Sequence, residues 1–164
     1  MRLTPGKLLL FAAVLVTTAG CDHVTKSAAI SLLEGSAPLT KAGGAVRFQL
    51  AANEGAFLSL GSRLPETLRD SLFLVVVPVV LLWLCARFLV ARRVSWPLTL
   101  GLGLVAGGGF ANWADRLASG GAVTDFIVLR LGPLHTGFFN VADVAILAGA
   151  ILIAFSAVRP SARA

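Results

Sequence analysis

Apolar residues run along this chain in four long stretches divided by polar connections, and the length of the stretches is the first signal they give. The first is unbroken from Leu8 to Cys21 and reaches Ile30 only by including Asp22, His23 and Lys26. The second runs from Ser71 to Ala86 and on to Val90 past Arg87, and the third from Trp96 to Ala114, with Asn112 inside it. The fourth runs from Phe138 to Val158, with Asn140 and Asp143 near its start. A bilayer crossing takes about 20 residues as a helix. Spans over 8–30, 71–90, 96–114 and 138–158 are therefore expected, forming an all-α membrane bundle in a single domain, 1–164. Two connections break the helical pattern. Ala45 to Ala52 alternates loosely through Val46, Phe48 and Leu50 and meets Asn53-Glu-Gly55, as a strand entering a turn does. Val123 to Leu129 is β-branched and aromatic between Gly120-Gly121 and Gly132-Pro133, which predicts a second extended segment. A small β-rich segment on one membrane face follows, with Gly35 to Gly44 expected as a plain loop.

Composition agrees with a membrane chain. The 164 residues are 57% hydrophobic and 13% charged, against roughly 45–50% and 25% in soluble domains. A soluble globule and a disordered chain are both excluded. The net charge of +6 raises the question of nucleic acid. No basic stripe with aromatic neighbours is present, and Arg92-Arg93, the one adjacent basic pair, falls between apolar runs. Half of the fourteen Lys and Arg lie in Met1–Lys7, Arg87–Trp96 and Arg159–Ala164. Their density there predicts both termini cytoplasmic. All eight acids then fall in or beside the outer connections, which makes the outer face the candidate working face. Cys21 and Cys85 come out near opposite surfaces and are expected as free thiols.

The N-terminus permits another reading. A basic start, an apolar core and Thr18-Ala19-Gly20-Cys21 resemble a secretory signal with a lipoprotein cleavage box, whose product would begin at Cys21. Three further apolar stretches argue against it, as does the i, i+3, i+4 continuation through Asp22, Thr25 and Lys26.

Ionisable groups within spans are costly and mark function. Asn140 and Asp143, three apart, share one helix face, and Asn112, Asp115 and Arg116 repeat that pattern at the outer end of the third span. Asp125 lies in the connection of about 23 residues between these helices, so Asp125 and Asp143 can approach each other. Two carboxylates sharing one partly desolvated site divide into an acid and a base. That division suits aspartyl peptide hydrolysis, in which one partner deprotonates water and the other polarises the scissile carbonyl. Competing readings stand beside this one. Asp115 beside Arg116 is the pattern of a structural ion pair, Asp22 with Lys26 that of a helix-surface pair, and a lone Asp143 that of an ion-translocating group in a transport or channel subunit. The glycines from Gly101 to Gly109 lack the context of a phosphate cradle, and Gly103-x-x-x-Gly107 reads as close helix packing. With only His23 and His135, and no His-Glu-x-x-His helix, no protein-bound zinc is expected. Nothing marks Ser59 or Ser119 as activated.

The set Asp22-His-Val-Thr-Lys26, Asn53-Glu-Gly-Ala-Phe57, Asn112-Trp-Ala-Asp115-Arg116, Val123-Thr-Asp125-Phe126 and Phe139-Asn-Val-Ala-Asp143, in this order across the whole chain, resembles the bacterial lipoprotein signal peptidases (signal peptidase II). The resemblance implies an inner-membrane aspartyl endopeptidase that removes signal peptides from diacylglyceryl-modified prolipoproteins, cutting before the lipidated cysteine. It implies a monomer in contact with membrane lipid, with its site at the periplasmic face and no metal or organic cofactor. The family's catalytic pair matches Asp125 and Asp143. Asn53 is then expected to bind substrate backbone, Asn112 and Asn140 to orient the pair, and Asp22, Lys26, Gly55, Asp115 and Arg116 to support them. Two positions depart from the family pattern: His23 stands where Gln is usual, and Ala111 where Gly is usual.

Overall fold

The structure, a computed structural model, describes residues 3–55, 64–91 and 94–158. Four long helices carry it: α1 (Pro5–Leu33), α2 (Glu66–Val90), α3 (Trp96–Ala118) and α4 (Val141–Val158). Pro5 opens α1, where a missing N–H costs nothing. Ser95 caps α3, its hydroxyl accepting from Leu98 N at 3.3 Å. Helices α1, α2 and α4 are long and apolar enough to cross a membrane. Leu9, Val16, Leu82, Trp83 and Phe155 stand exposed on them, as side chains facing lipid do.

Helix α3 has the length, 23 residues, without the same hydropathy, and its glycines explain both that and its place in the bundle. A Cβ on Gly107 would lie 2.7 Å from Leu15 O of α1, one on Gly108 2.6 Å from Ala142 O of α4, and one on Gly109 2.7 Å from Leu81 Cδ1 of α2. Three consecutive glycines thus each admit a different neighbour, so α3 lies at the centre, and Gly103 and Gly107 do pack closely, against α1. Gly149 of α4 meets Gly101 in the same way. Gly108→Ala is expected to push α4 off α3 one residue from Asp143. Overpacking of this kind costs about 1–3 kcal/mol. Thermal unfolding together with kcat should show both a lower midpoint and a slower enzyme.

The β-segment is a four-stranded antiparallel sheet in the order β1 (Leu39–Lys41), β2 (Val46–Asn53), β3 (Val123–Leu131), β4 (Leu134–His135). The two predicted strands, β2 and β3, pair from Val46↔Leu129 to Asn53↔Val123 with a bulge between Phe48 and Ala51. The stretch expected as a loop, Gly35 to Gly44, contains β1, which pairs with β2 from Leu39↔Phe48 to Lys41↔Val46. Three exposed residues, Leu39-Thr40-Lys41, are too few to carry an alternation, and only their partner defines them as a strand.

Local rules fix where β3 and α4 begin. Gly120 takes φ 62°, and Gly121 N donates to Arg116 O at 2.8 Å, a glycine stop that ends α3 and turns the chain into β3. Phe138 and Phe139, expected in the fourth span, precede α4. Phe139 bridges Ile127 instead, and the helix starts at Val141. At the far end of the bundle Phe11 stacks on Phe88 at 4.4 Å in a cluster with Val94 and Ala106, and Cys85 packs against it. Both cysteines are free, and α1 runs without interruption through Cys21.

Candidate active site

Asn140 stands just before α4 and caps it. Its Oδ1 accepts from Asp143 N at 2.9 Å, and its own N–H donates to Asp143 Oδ2 at 3.3 Å, a reciprocal capping box. The cap leaves the Asn140 amide nitrogen available, and it donates to Asp125 Oδ1 at 2.6 Å and to Asn112 Oδ1 at 3.1 Å. Asn112 Nδ2 donates to Asp143 Oδ1 at 2.9 Å, and Asn53 Nδ2 to Asp125 Oδ2 at 2.7 Å. Three asparagines from β2, α3 and the start of α4 thus supply the donors for two carboxylates on β3 and α4. All five side chains are buried.

The orientation of Asn112 is fixed from behind. Its Oδ1 accepts from Lys26 Nζ at 3.0 Å as well as from Asn140, so its nitrogen must face Asp143. Lys26 is also paired with Asp22 at 2.6 Å and with Asp115 at 2.8 Å. Asp22 Oδ1 in turn accepts Ala142 N at 2.8 Å, tying α1 to the first turn of α4. Two readings from spacing are corrected here. Asp22 and Lys26 are buried, at 1% and 3% exposure, and are not a surface pair. Asp115 pairs with Lys26 across the bundle, not with Arg116. The neighbouring Arg116 donates to Asn112 O at 3.3 Å and lies over the Phe73 ring, 4.5 Å from its centroid. Adjacent helix positions diverge by about 100°, so neighbours in sequence reach different partners.

Asn53 was expected to hold substrate backbone, yet its amide nitrogen is directed at Asp125 and its oxygen accepts Gly55 N at 3.0 Å. Ala56, Phe57 and Ser59 lie outside the described residues. Ser119 at the end of α3 is exposed. His23 is exposed and Ala111 half-buried, and neither joins the network. Among the described residues no group of three or more His, Cys, Asp or Glu is arranged to hold a metal ion.

The carboxylates open on a cavity of about 380 Å³. Asn112, Asp125 and Asp143 line its polar end, while Phe73, Val77 and Leu147 line its apolar flank between α2 and α4. The α2 side carries a signal that sequence reading missed. Ser71–Val76 is a π-helical turn, and Leu74 O accepts Trp113 Nε1 at 3.2 Å, which carries Phe73 to the cavity. Burial raises the Asp125 carboxyl from 3.8 to about 6. The hydrogen bonds from Asn53 and Asn140 and the Lys26 charge oppose the shift, and the negative charge of Asp143 adds to it.

The family described as Signal peptidase (SPase) II matches residues 13–159. The lipoprotein signal peptidase of Mycobacterium tuberculosis is 34% identical over 155 residues, covering 91% of this chain and 71% of that protein. The lipoprotein signal peptidase of Pelotomaculum thermopropionicum is 34% identical over 140 residues, covering 85% and 86%. A solved structure described as a bacterial membrane enzyme superposes with a TM-score of 0.74 at 19% identity, over 99% of this chain and 96% of that one, and shares the fold. Such a match along nearly the whole chain means that it belongs to the signal peptidase II family and is a multi-pass membrane protease that removes the signal peptides of prolipoproteins.

Proposed function

We propose that Asp125 and Asp143 are the catalytic pair and that the cut falls before the lipidated cysteine of a diacylglyceryl-modified prolipoprotein. The observation that carries this reading is the convergence of two buried carboxylates, each held by asparagine donors, at the polar end of a cavity that Arg116 also lines and whose remaining walls are apolar. Asp143 takes a proton from water as its oxygen attacks the scissile carbonyl carbon, while Asp125 gives its proton to the carbonyl oxygen. The tetrahedral intermediate then collapses: Asp143 passes the proton it took from water to the amide nitrogen, the C–N bond breaks, and Asp125 takes its proton back from the gem-diol oxygen as the new carboxyl group forms, which restores both residues. Asn112 and Asn140 orient the pair, Asn53 holds Asp125, Gly55 fixes the turn that presents Asn53, and Asp22, Lys26, Asp115 and Arg116 brace the asparagines. The described residues of the site all come from one chain, which supports a monomer.

The finer placement belongs to the same reading. All four helices span the bacterial inner membrane as a single domain, 1–164, with both termini cytoplasmic and the site at the periplasmic boundary in contact with membrane lipid. The glycine-lined packing of α3 supports its counting as a span despite its lower hydropathy, since it is enclosed by its neighbours.

The test is cleavage of a lipidated prolipoprotein across pH, with the products identified by mass. Asp125 keeps its proton below about 6 and loses it above. The kcat/KM is therefore expected to fall on the alkaline side of a midpoint near 6, and kcat at a higher pH, because a bound apolar peptide removes further water from the pair. Stability carries the same sign. A raised carboxyl binds its proton more tightly in the folded chain, so that contribution is full below about 4 and is lost as pH rises through about 6. A cut elsewhere than before the lipidated cysteine, or a rate flat from pH 5 to 8, contradicts the reading.

A further inference from the structure

On the sheet, away from the carboxylate cavity, a second cleft of about 390 Å³ is lined by Arg47 and Gln49 of β2, Arg130 of β3, His135 of β4 and the following Thr136. Its chemistry is cationic and uncompensated. No carboxylate lines it, and none of the ion pairs among the described residues includes Arg47, Arg130 or His135. Arg47 donates to Gln49 Oε1 at 2.6 Å, while its Nε is buried without a hydrogen-bond partner. Converging cations and an orphaned guanidinium donor are the complement of a multidentate anion, and arginine matches phosphate oxygens best.

The position of the cleft narrows the anion. Arg130 and His135 face each other in register across β3 and β4, and the hairpin that joins them continues through Leu131 and Leu134, which are 79% and 71% exposed. Leu129, on the same hairpin, is also exposed. Apolar side chains left bare at a tip, directly beside basic groups, are the arrangement of an element lying in a membrane interface. Leucines there meet acyl chains, and the cations meet anionic headgroups.

We propose that Arg47, Arg130 and His135 form a seat for the phosphodiester of an anionic phospholipid, with the Leu131–Leu134 tip entering the acyl layer beside it. The lipid holds the sheet against the bilayer, and the sheet carries both Asn53 and Asp125. This rests on the reading that puts the sheet at the membrane boundary.

The test compares wild type with the Arg47→Gln/Arg130→Gln variant in nanodiscs of phosphatidylcholine alone or mixed with phosphatidylglycerol. The unfolding midpoint of wild type is expected to rise by about 2–4 °C or more with the anionic lipid. The variant should match wild type in phosphatidylcholine and show no rise. Native mass spectra should find phosphatidylglycerol retained on wild type and lost from the variant. Inorganic phosphate added in detergent should not reproduce the rise. An equal response of both proteins, no response of wild type, or full stabilisation by free phosphate overturns the proposal. Cleavage by wild type in phosphatidylcholine is a separate readout, so failure of the lipid seat and failure of the catalytic reading are distinguishable.

Discussion

Lys26→Met is expected to lower stability by about 3–5 kcal/mol, the cost of leaving a buried charge without its partner. Lys26 is 3% exposed and is the only cation paired with Asp22 among the described residues, and Asp22 is itself 1% exposed. Asp115 loses the same partner. The Met side chain fills the space of the aliphatic stem, so the loss is electrostatic and not a cavity. A catalytic effect accompanies it. Without the bond from Lys26 Nζ, Asn112 Oδ1 keeps one of its two fixed donors, and its amide is free to turn its nitrogen away from Asp143. Misplacement on the scale of 1 Å costs on the order of 10²-fold in rate. The expected result is a lower kcat with little change in KM, measured at a temperature where the variant is still folded, alongside a lower unfolding midpoint. Unchanged stability would mean that Asp22 and Asp115 find water or another donor and that the buried network is not what holds α1 to α4.

Much of this site was legible in the sequence, and what was missing has a common cause. Asp125 and Asp143 could be brought together because a short connection leaves few places for Asp125 to be. Strand β2 was readable from its alternation, and β3 from its β-branched run between glycine pairs. The roles of Asp22 and Lys26 were not readable: i, i+4 spacing shows that they share a face, but not that the face is buried against Asp115, 89 positions on from Lys26. The Asp22 bond to Ala142 N is a link of the same kind, across 120 positions. The glycines show a milder form of this limit. Spacing identified Gly103 and Gly107 as a packing stripe, while the separate partners of Gly107, Gly108 and Gly109 depend on three helices surrounding α3. The π-helical turn at Ser71–Val76 has no sequence mark beyond apolar residues, and its consequence, Phe73 beside Arg116, appears only in three dimensions.

Asp125→Asn and Asp143→Asn are expected to remove activity while leaving the fold intact, and this pairing gives them diagnostic value. Positioned acid–base groups contribute on the order of 10²–10⁴-fold each, and an amide neither takes a proton from water nor gives one to a carbonyl. Asn is close to isosteric with Asp, but its one oxygen keeps only one of the two donors that each carboxylate accepts, and its nitrogen faces the other. Asp125 is fully buried, with its carboxyl raised to about 6, so its ionised form carries a desolvation penalty that a neutral amide avoids. Above pH 6 that saving offsets the asparagine donor left without an acceptor, so the Asp125→Asn protein should unfold at a midpoint comparable to that of wild type.

The most direct measurement is single-turnover cleavage of a lipidated prolipoprotein by wild type, Asp125→Asn and Asp143→Asn, each first shown to unfold cooperatively at a comparable midpoint. The account predicts a cut before the lipidated cysteine by wild type and a loss of at least about 10²-fold in both variants. A folded variant of either residue that cuts within a factor of ~10 of the wild-type rate would contradict it.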